Sequence, residues 1–110
     1  MWNASNDDDG FLFASQEPAI NVYSSGGQFH AHTDGQKLTV LIPLNDDFCG
    51  GGTAFWSEPR RHRVDPPSLV VKPRMGTDIV FSGHVMHSGL PVETGSRVVL
   101  VASFSPRRGG

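Results

Sequence analysis

The sequence predicts an all-β fold, best drawn as a jelly roll (a double-stranded β-helix), and three observations lead there. Thirteen glycines and eight prolines in 110 residues favour strands joined by tight turns over long helices. No segment of twelve or more residues carries a clean 3.6-residue apolar period, which an amphipathic helix requires. Finally, about eight short runs of alternating or β-branched residues are separated by turn signals, the signature of a sandwich or barrel.

Taken in order, residues 1–17 read as a polar leader, disordered in part. Its Asp7-Asp8-Asp9 run is a solvated stretch, since adjacent aspartates alternate in direction. Phe11-Leu12-Phe13 is a short apolar patch able to cover one end of a core. Pro18 opens a strand over Ala19–Tyr23, a position where its missing N–H is not needed. Asn21 and Tyr23 share one face of it, Ile20 and Val22 the other. After the turn Ser24–Gly27, strict alternation over Gln28–Asp34 places Gln28, His30, His32 and Asp34 on one face. Lys37–Leu44 is the clearest strand, with Thr39, Leu41 and Pro43 on one side and Leu38, Val40 and Ile42 on the other.

A glycine-rich loop over Asn45–Gly52 leads into a strand at Thr53–Trp56. Ser57–Pro67 breaks the pattern with Arg60-Arg61-His62-Arg63, a solvated basic loop or one that overhangs a site. The remaining strands are Ser68–Lys72, Thr77–Ser82, Val85–Leu90 and Arg97–Phe104. The domain is expected to span 18–105, with 106–110 a flexible tail.

The net charge of −2 and a pI near 6.2 argue against a nucleic-acid or anionic-membrane binder. The single cysteine, Cys49, excludes an internal disulfide or a cysteine-based metal cluster. With no signal-peptide pattern and no apolar stretch of about 20 residues, the expected location is cytoplasmic.

The chemistry gathers around His30-Ala31-His32-Thr33-Asp34. Residues two apart on a strand point the same way, so His32 and Asp34 present an imidazole and a carboxylate side by side. These are two parts of a 2-His-1-carboxylate triad, which holds non-haem Fe(II) and leaves coordination positions open. The third ligand has to be a distant histidine. His62 sits among three arginines, His84 follows Ser82-Gly83 where the chain turns, and His87 lies within a predicted strand. Ten residues after His87 comes Arg97, whose planar guanidinium suits a bidentate grip on a carboxylate. His30 flanks the site on the same predicted face, as a supporting or substrate-facing group.

Tyr23, His32-Thr33-Asp34, His87-Ser88-Gly89-Leu90-Pro91-Val92 and Gly95-Ser96-Arg97, with Gly51-Gly52-Thr53-Ala54-Phe55 and Val71-Lys72-Pro73-Arg74-Met75-Gly76 between them, resemble the Fe(II)/2-oxoglutarate-dependent dioxygenases. The similarity is greatest to their prolyl 4-hydroxylase-type branch and covers roughly residues 18–105. It implies that His32, Asp34 and His87 ligate Fe(II), that Arg97 and Tyr23 hold 2-oxoglutarate, and that Thr39 lines the co-substrate pocket. It also implies O2 as oxidant, ascorbate as auxiliary reductant, and decarboxylation of 2-oxoglutarate to succinate coupled to hydroxylation of a substrate C–H. Peptidyl proline is one such substrate. The helices that brace the sheet before the first core strand in this family are largely missing from the pattern.

Two other functions fit some of these residues. A catalytically silent jelly-roll module would keep the pocket without turnover. A Zn(II) hydrolase could use the same three ligands, but it leaves Arg97 without a role.

Overall fold

The computed structural model describes residues 10–57 and 66–106. The acidic run at Asp7–Asp9, the Arg60–Arg63 stretch with His62, and residues 107–110 of the tail lie outside the described residues. Among the described residues every regular element is a strand: β1 (Phe11–Phe13), β2 (Ala19–Tyr23), β3 (Phe29–His32), β4 (Leu38–Pro43), β5 (Cys49–Gly50), β6 (Thr53–Trp56), β7 (Leu69–Val71), β8 (Ile79–Ser82), β9 (Met86–Gly89), β10 (Val92–Thr94) and β11 (Arg97–Pro106). No helix of the described residues is long and apolar enough to cross a membrane.

The strands form two facing antiparallel sheets and a small clasp. The larger sheet has the order β1-β11-β4-β8, with β2 also paired to β11; the smaller has the order β3-β9-β6-β7. Strand β10 pairs with β5. The ten-residue β11 is the spine of the larger sheet. Its first half pairs with β2 from Arg97↔Tyr23 to Val101↔Ala19, and its last three residues pair with β1 from Phe104↔Phe13 to Pro106↔Phe11. The sheet therefore begins at the Phe11–Phe13 patch, where the rings of Phe11 and Phe13 both pack edge-on against Phe104.

The sheets meet through Leu41 and Val99 of the larger one and Phe55 of the smaller, all buried. Phe55 and Phe81 pack edge to face across the gap, with centroids 4.9 Å apart, a contact worth about 0.5–1.5 kcal/mol beyond its buried area. Strand β6 is buried along its whole length, because it is central in its sheet and flanked by β7 and β9.

One element departs from the alternation expected of Gln28–Asp34. Phe29 pairs with Gly89 and His32 with His87, so three residue steps on β3 face two on β9. The extra residue is a β-bulge, and it reverses the facing of the upstream half of the strand. Phe29, rather than His30, turns toward the interior; its ring meets those of His32 and His87. Gly89 makes room for it, because a Cβ there would strike the Phe29 ring. His30 is exposed.

Candidate metal centre and co-substrate cavity

His32 stands at the end of β3, Asp34 just beyond it, and His87 opposite His32 on β9. Asp34 is held by its own N–H, which donates to Gly83 O at 2.8 Å. The His32 Nε2 lies 3.2 Å from Asp34 Oδ1, and His87 Nε2 lies 3.5 Å from Asp34 Oδ2. One ligand atom from each of the three falls within 4.8 Å of the others. His84 and His30 take no part in this group.

Both imidazoles are oriented by the same local device. His32 Nδ1 is 2.8 Å from His30 O and His87 Nδ1 is 2.9 Å from Val85 O. A carbonyl can only accept, so each Nδ1 carries a proton and each ring turns its Nε2 toward the shared space. The donor set, two imidazoles and a carboxylate on one side of a space, fits a divalent metal of the non-haem iron type.

His87 is seated among aromatic rings, with Phe81 at 4.7 Å and Phe55 at 6.2 Å between centroids. That burial pushes its pKa below the ordinary imidazole range, against the raising effects of the Val85 carbonyl and of Asp34. His32 is the solvent-facing member, its side chain 46% exposed against 4% for His87.

Asp34 has a further partner from the facing sheet. Thr39 Oγ1 donates to Asp34 Oδ2 at 2.5 Å and lies 3.1 Å from Ser103 Oγ. A hydroxyl has one proton, so Ser103 supplies the hydrogen in the second bond. Thr39 and Ser103 are cross-strand partners on β4 and β11. Ser103 carries no signal that sequence reading could use; only strand register brings it beneath Asp34.

A cavity of about 190 Å³ opens beside these residues and is lined also by Tyr23, Asn21, Arg97 and Glu17. Arg97 is buried, and donates to Gly52 O at 3.1 Å and Thr53 Oγ1 at 2.9 Å. The Gly50-Gly51-Gly52 run, all at positive φ, shapes the loop that brings the Gly52 carbonyl to it. Burial lowers the Arg97 pKa, and Tyr23 opposes that effect. The guanidinium lies 6.0 Å from the Tyr23 ring centroid, and no ion pair to it occurs among the described residues. A buried cation without a carboxylate partner, in the wall of a cavity, is a site for an anion. Gly52 and Thr53, which aim it, lie in a motif noted in the sequence but given no role there.

The fold and this arrangement agree with the relationships of the chain. Residues 18–104 match the 2OG-Fe(II) oxygenase superfamily, and the chain belongs to that family. Among curated proteins it is 32% identical over 80 residues to procollagen-lysine,2-oxoglutarate 5-dioxygenase 2 of Homo sapiens and of Mus musculus, a match covering 68% of this chain and 10% of theirs. Among solved structures it resembles an oxidoreductase of the 2OG-Fe(II) oxygenase family from Burkholderia pseudomallei, with a TM-score of 0.67 and 28% identity over 83% of this chain and 42% of that one. A Pseudomonas putida prolyl-4-hydroxylase shares the fold, with a TM-score of 0.63 and 22% identity over 83% of this chain and 51% of that one. The chain thus spans about a tenth of the curated relatives and about half of the solved ones. The family implies Fe(II) and 2-oxoglutarate; its jelly-roll core is the architecture expected from the sequence.

Proposed function

We propose that this chain is an Fe(II)- and 2-oxoglutarate-dependent hydroxylase that uses O2 as oxidant and ascorbate as auxiliary reductant. In this reading His32, Asp34 and His87 hold the metal. Arg97 receives the distal carboxylate of 2-oxoglutarate, with Tyr23 beside it on the neighbouring strand. The observation that supports it best is the convergence of three ligand atoms within 4.8 Å in the same cavity as a buried guanidinium that has no ion-pair partner among the described residues.

When bound, the iron supplies oxidative decarboxylation of 2-oxoglutarate to succinate and CO2, and transfer of one oxygen atom to a substrate C–H. The chain's own residues do the rest. The carbonyls of His30 and Val85 keep both Nδ1 atoms protonated and both Nε2 atoms available. Thr39 keeps Asp34 from turning toward solvent and has no free proton left to give a co-substrate. Arg97 fixes one end of the keto acid, and Phe29 and Phe81 exclude water from the His87 imidazole. The prime substrate is a peptidyl or free amino acid, the prolyl and lysyl side chains being those named for the relatives.

Anaerobic addition of Fe(II) and then 2-oxoglutarate tests the reading. The expected result is the weak visible charge-transfer band of a chelated keto acid, absent in His87→Ala. Aerobic succinate release against proline- and lysine-containing peptides completes it. A band that survives His87→Ala, or Zn(II)-dependent hydrolysis without any band, overturns it.

A further inference from the structure

The roles given so far leave one end of the cavity unexplained. Along β11 the cavity wall runs from Arg97 through Val99 and Val101 to Ser103. Strand β2 accompanies β11 only as far as Val101, and β1 takes over only at Phe104. Ser103 falls in the gap between them. Its carbonyl accepts from Ala14 N at 2.8 Å, and its N–H donates to the Glu17 side chain, Oε1, at 2.5 Å. A tight turn directs that side chain inward: Glu17 N donates to Ala14 O at 3.1 Å, and Gln16 takes a φ of 65°, a region that non-glycine residues seldom occupy.

Capping one N–H needs one oxygen and no charge. Glu17 brings two oxygens and a charge, and lines the same cavity as the three ligands and Arg97. Its second oxygen has no hydrogen-bond or ion-pair partner among the described residues, and it is not a sealed-off atom. The cavity is therefore polarised, with a guanidinium at one end and a carboxylate at the other.

We infer that Glu17 is the specificity-determining residue for the prime substrate, and that the substrate side chain ends in an alkylammonium, as lysine does. This rests on the hydroxylase reading above and names the substrate class for that site. Glu17, Ser103 and Thr39 lie side by side, and Thr39 touches Asp34. Glu17 is thus about two strand spacings, roughly 10 Å, from the metal ligands. A flexible alkyl chain can place a methylene at the metal and its charged end at Glu17. A prolyl ring has nothing to offer a carboxylate and would cover it without a partner, which is costly. A guanidinium would want both oxygens in a fork, but one is taken by Ser103; an ammonium is satisfied by a single oxygen. The repelling carboxylate also favours seating 2-oxoglutarate at the Arg97 end.

The test uses acetylated, amidated Gly-Xaa-Gly peptides with Xaa as lysine, norleucine, proline or glutamate, together with free lysine. Binding is measured by calorimetry, and product by mass spectrometry for one added oxygen. The wild-type protein is expected to bind and hydroxylate the lysine peptide about 10- to 100-fold better than the norleucine peptide, the range of a charge-assisted hydrogen bond. Glu17→Gln keeps an acceptor for Ser103 N–H while removing the charge, and should collapse that ratio toward one. Taking the ratio within each protein cancels any general loss of function. Preference for free lysine over the peptide assigns the same chemistry to a free amino acid, and the reverse assigns it to a protein side chain. A wild-type protein that does not prefer lysine to norleucine overturns the inference, as does an unchanged ratio in Glu17→Gln. Because the ratio is also read by binding, it stands or falls even if no peptide is turned over, whereas absence of the keto-acid band sinks the hydroxylase reading alone.

Discussion

On the cavity side of the larger sheet, the polar cross-strand pairs Tyr23 with Arg97 and Ser103 with Thr39 bracket the apolar ones, Val99 with Pro43 and Val101 with Leu41. On the opposite side they are Val22 with Val98, Ile20 with Leu100, Leu100 with Ile42 and Val40 with Val80. The face that carries the polar pairs is the enclosed one: Thr39, Ser103 and Arg97 are buried alongside Leu41 and Val99. The aliphatic face is largely open, with Ile20 and Val22 each 61% exposed and Val80 58%. Most single-layer faces of soluble domains run the other way. The contrast teaches that the inner face mixes groups able to meet a ligand with groups that hold the sheets together. Each buried polar group there is hydrogen-bonded, so enclosure costs little. Cohesion comes from the backbone ladders, from buried Leu41 and Val99 and from the Phe55–Phe81 contact, while the outer face keeps apolar surface that any covering element would stabilise at about 25 cal/mol per Å².

Substitutions on the two faces sharpen this contrast. The largest effect is expected from His87→Ala, which removes a buried proposed metal ligand and its contact with Phe81; succinate release should fall to background and the keto-acid band should disappear. Arg97→Met comes next. It replaces the proposed anchor for the keto acid with an apolar group, so the KM for 2-oxoglutarate should rise by about 10- to 100-fold, the range of a lost charge-assisted hydrogen bond, in a titration of succinate release. Thr39→Val, which frees one oxygen of Asp34, should weaken metal affinity by about tenfold, the lower end for a supporting residue of this kind, measured as the Fe(II) concentration for half-maximal activity.

A fourth expectation concerns acid. Folded His87 has a pKa below its ordinary 6.5 because it is buried, whereas in the unfolded chain it titrates normally. The unfolded state therefore binds more protons as pH falls, and stability of the metal-free protein is lost progressively below about pH 6.5 and is level above it. Thermal melts of the metal-free protein from pH 7.5 to 5.5 should show that decline, and His87→Gln should flatten part of it. The smallest effect belongs to the outer face: Val22→Lys should change stability by no more than about 0.5 kcal/mol in urea titration, and a loss of several kcal/mol would show that this face is not open.

Much of this was legible in the residues. Ala19–Tyr23 and Thr53–Trp56 have the bounds of β2 and β6, because alternation or β-branched composition coincides with clear turn signals on both sides. The short strands β5 and β10 escaped, since two- and three-residue pairs exist only by virtue of each other and carry no period of their own. Phe11–Phe13 showed its apolar character but not its partner, which lies at the far end of the chain. Alternation failed in β3 for a specific reason. A bulge adds a residue without any change in composition, so alternation puts His30 on the cavity side and Phe29 away from it, the reverse of the structure. Glu17 and Ser103 were invisible for a related reason: their importance comes from the interval where β11 changes neighbours, a property of three strands at once.

That interval belongs to a strand with a further property. Arg97 and Ser103 sit six residues apart on one uninterrupted extended segment, a span of about 20 Å fixed by covalent bonds rather than by how loops happen to settle. Arg97 and the residue beneath Asp34 are consequently graduations on a single ruler. Drift in the surrounding turns can tilt the ruler but cannot restretch it, so the two ends of the cavity keep their separation when the loops move.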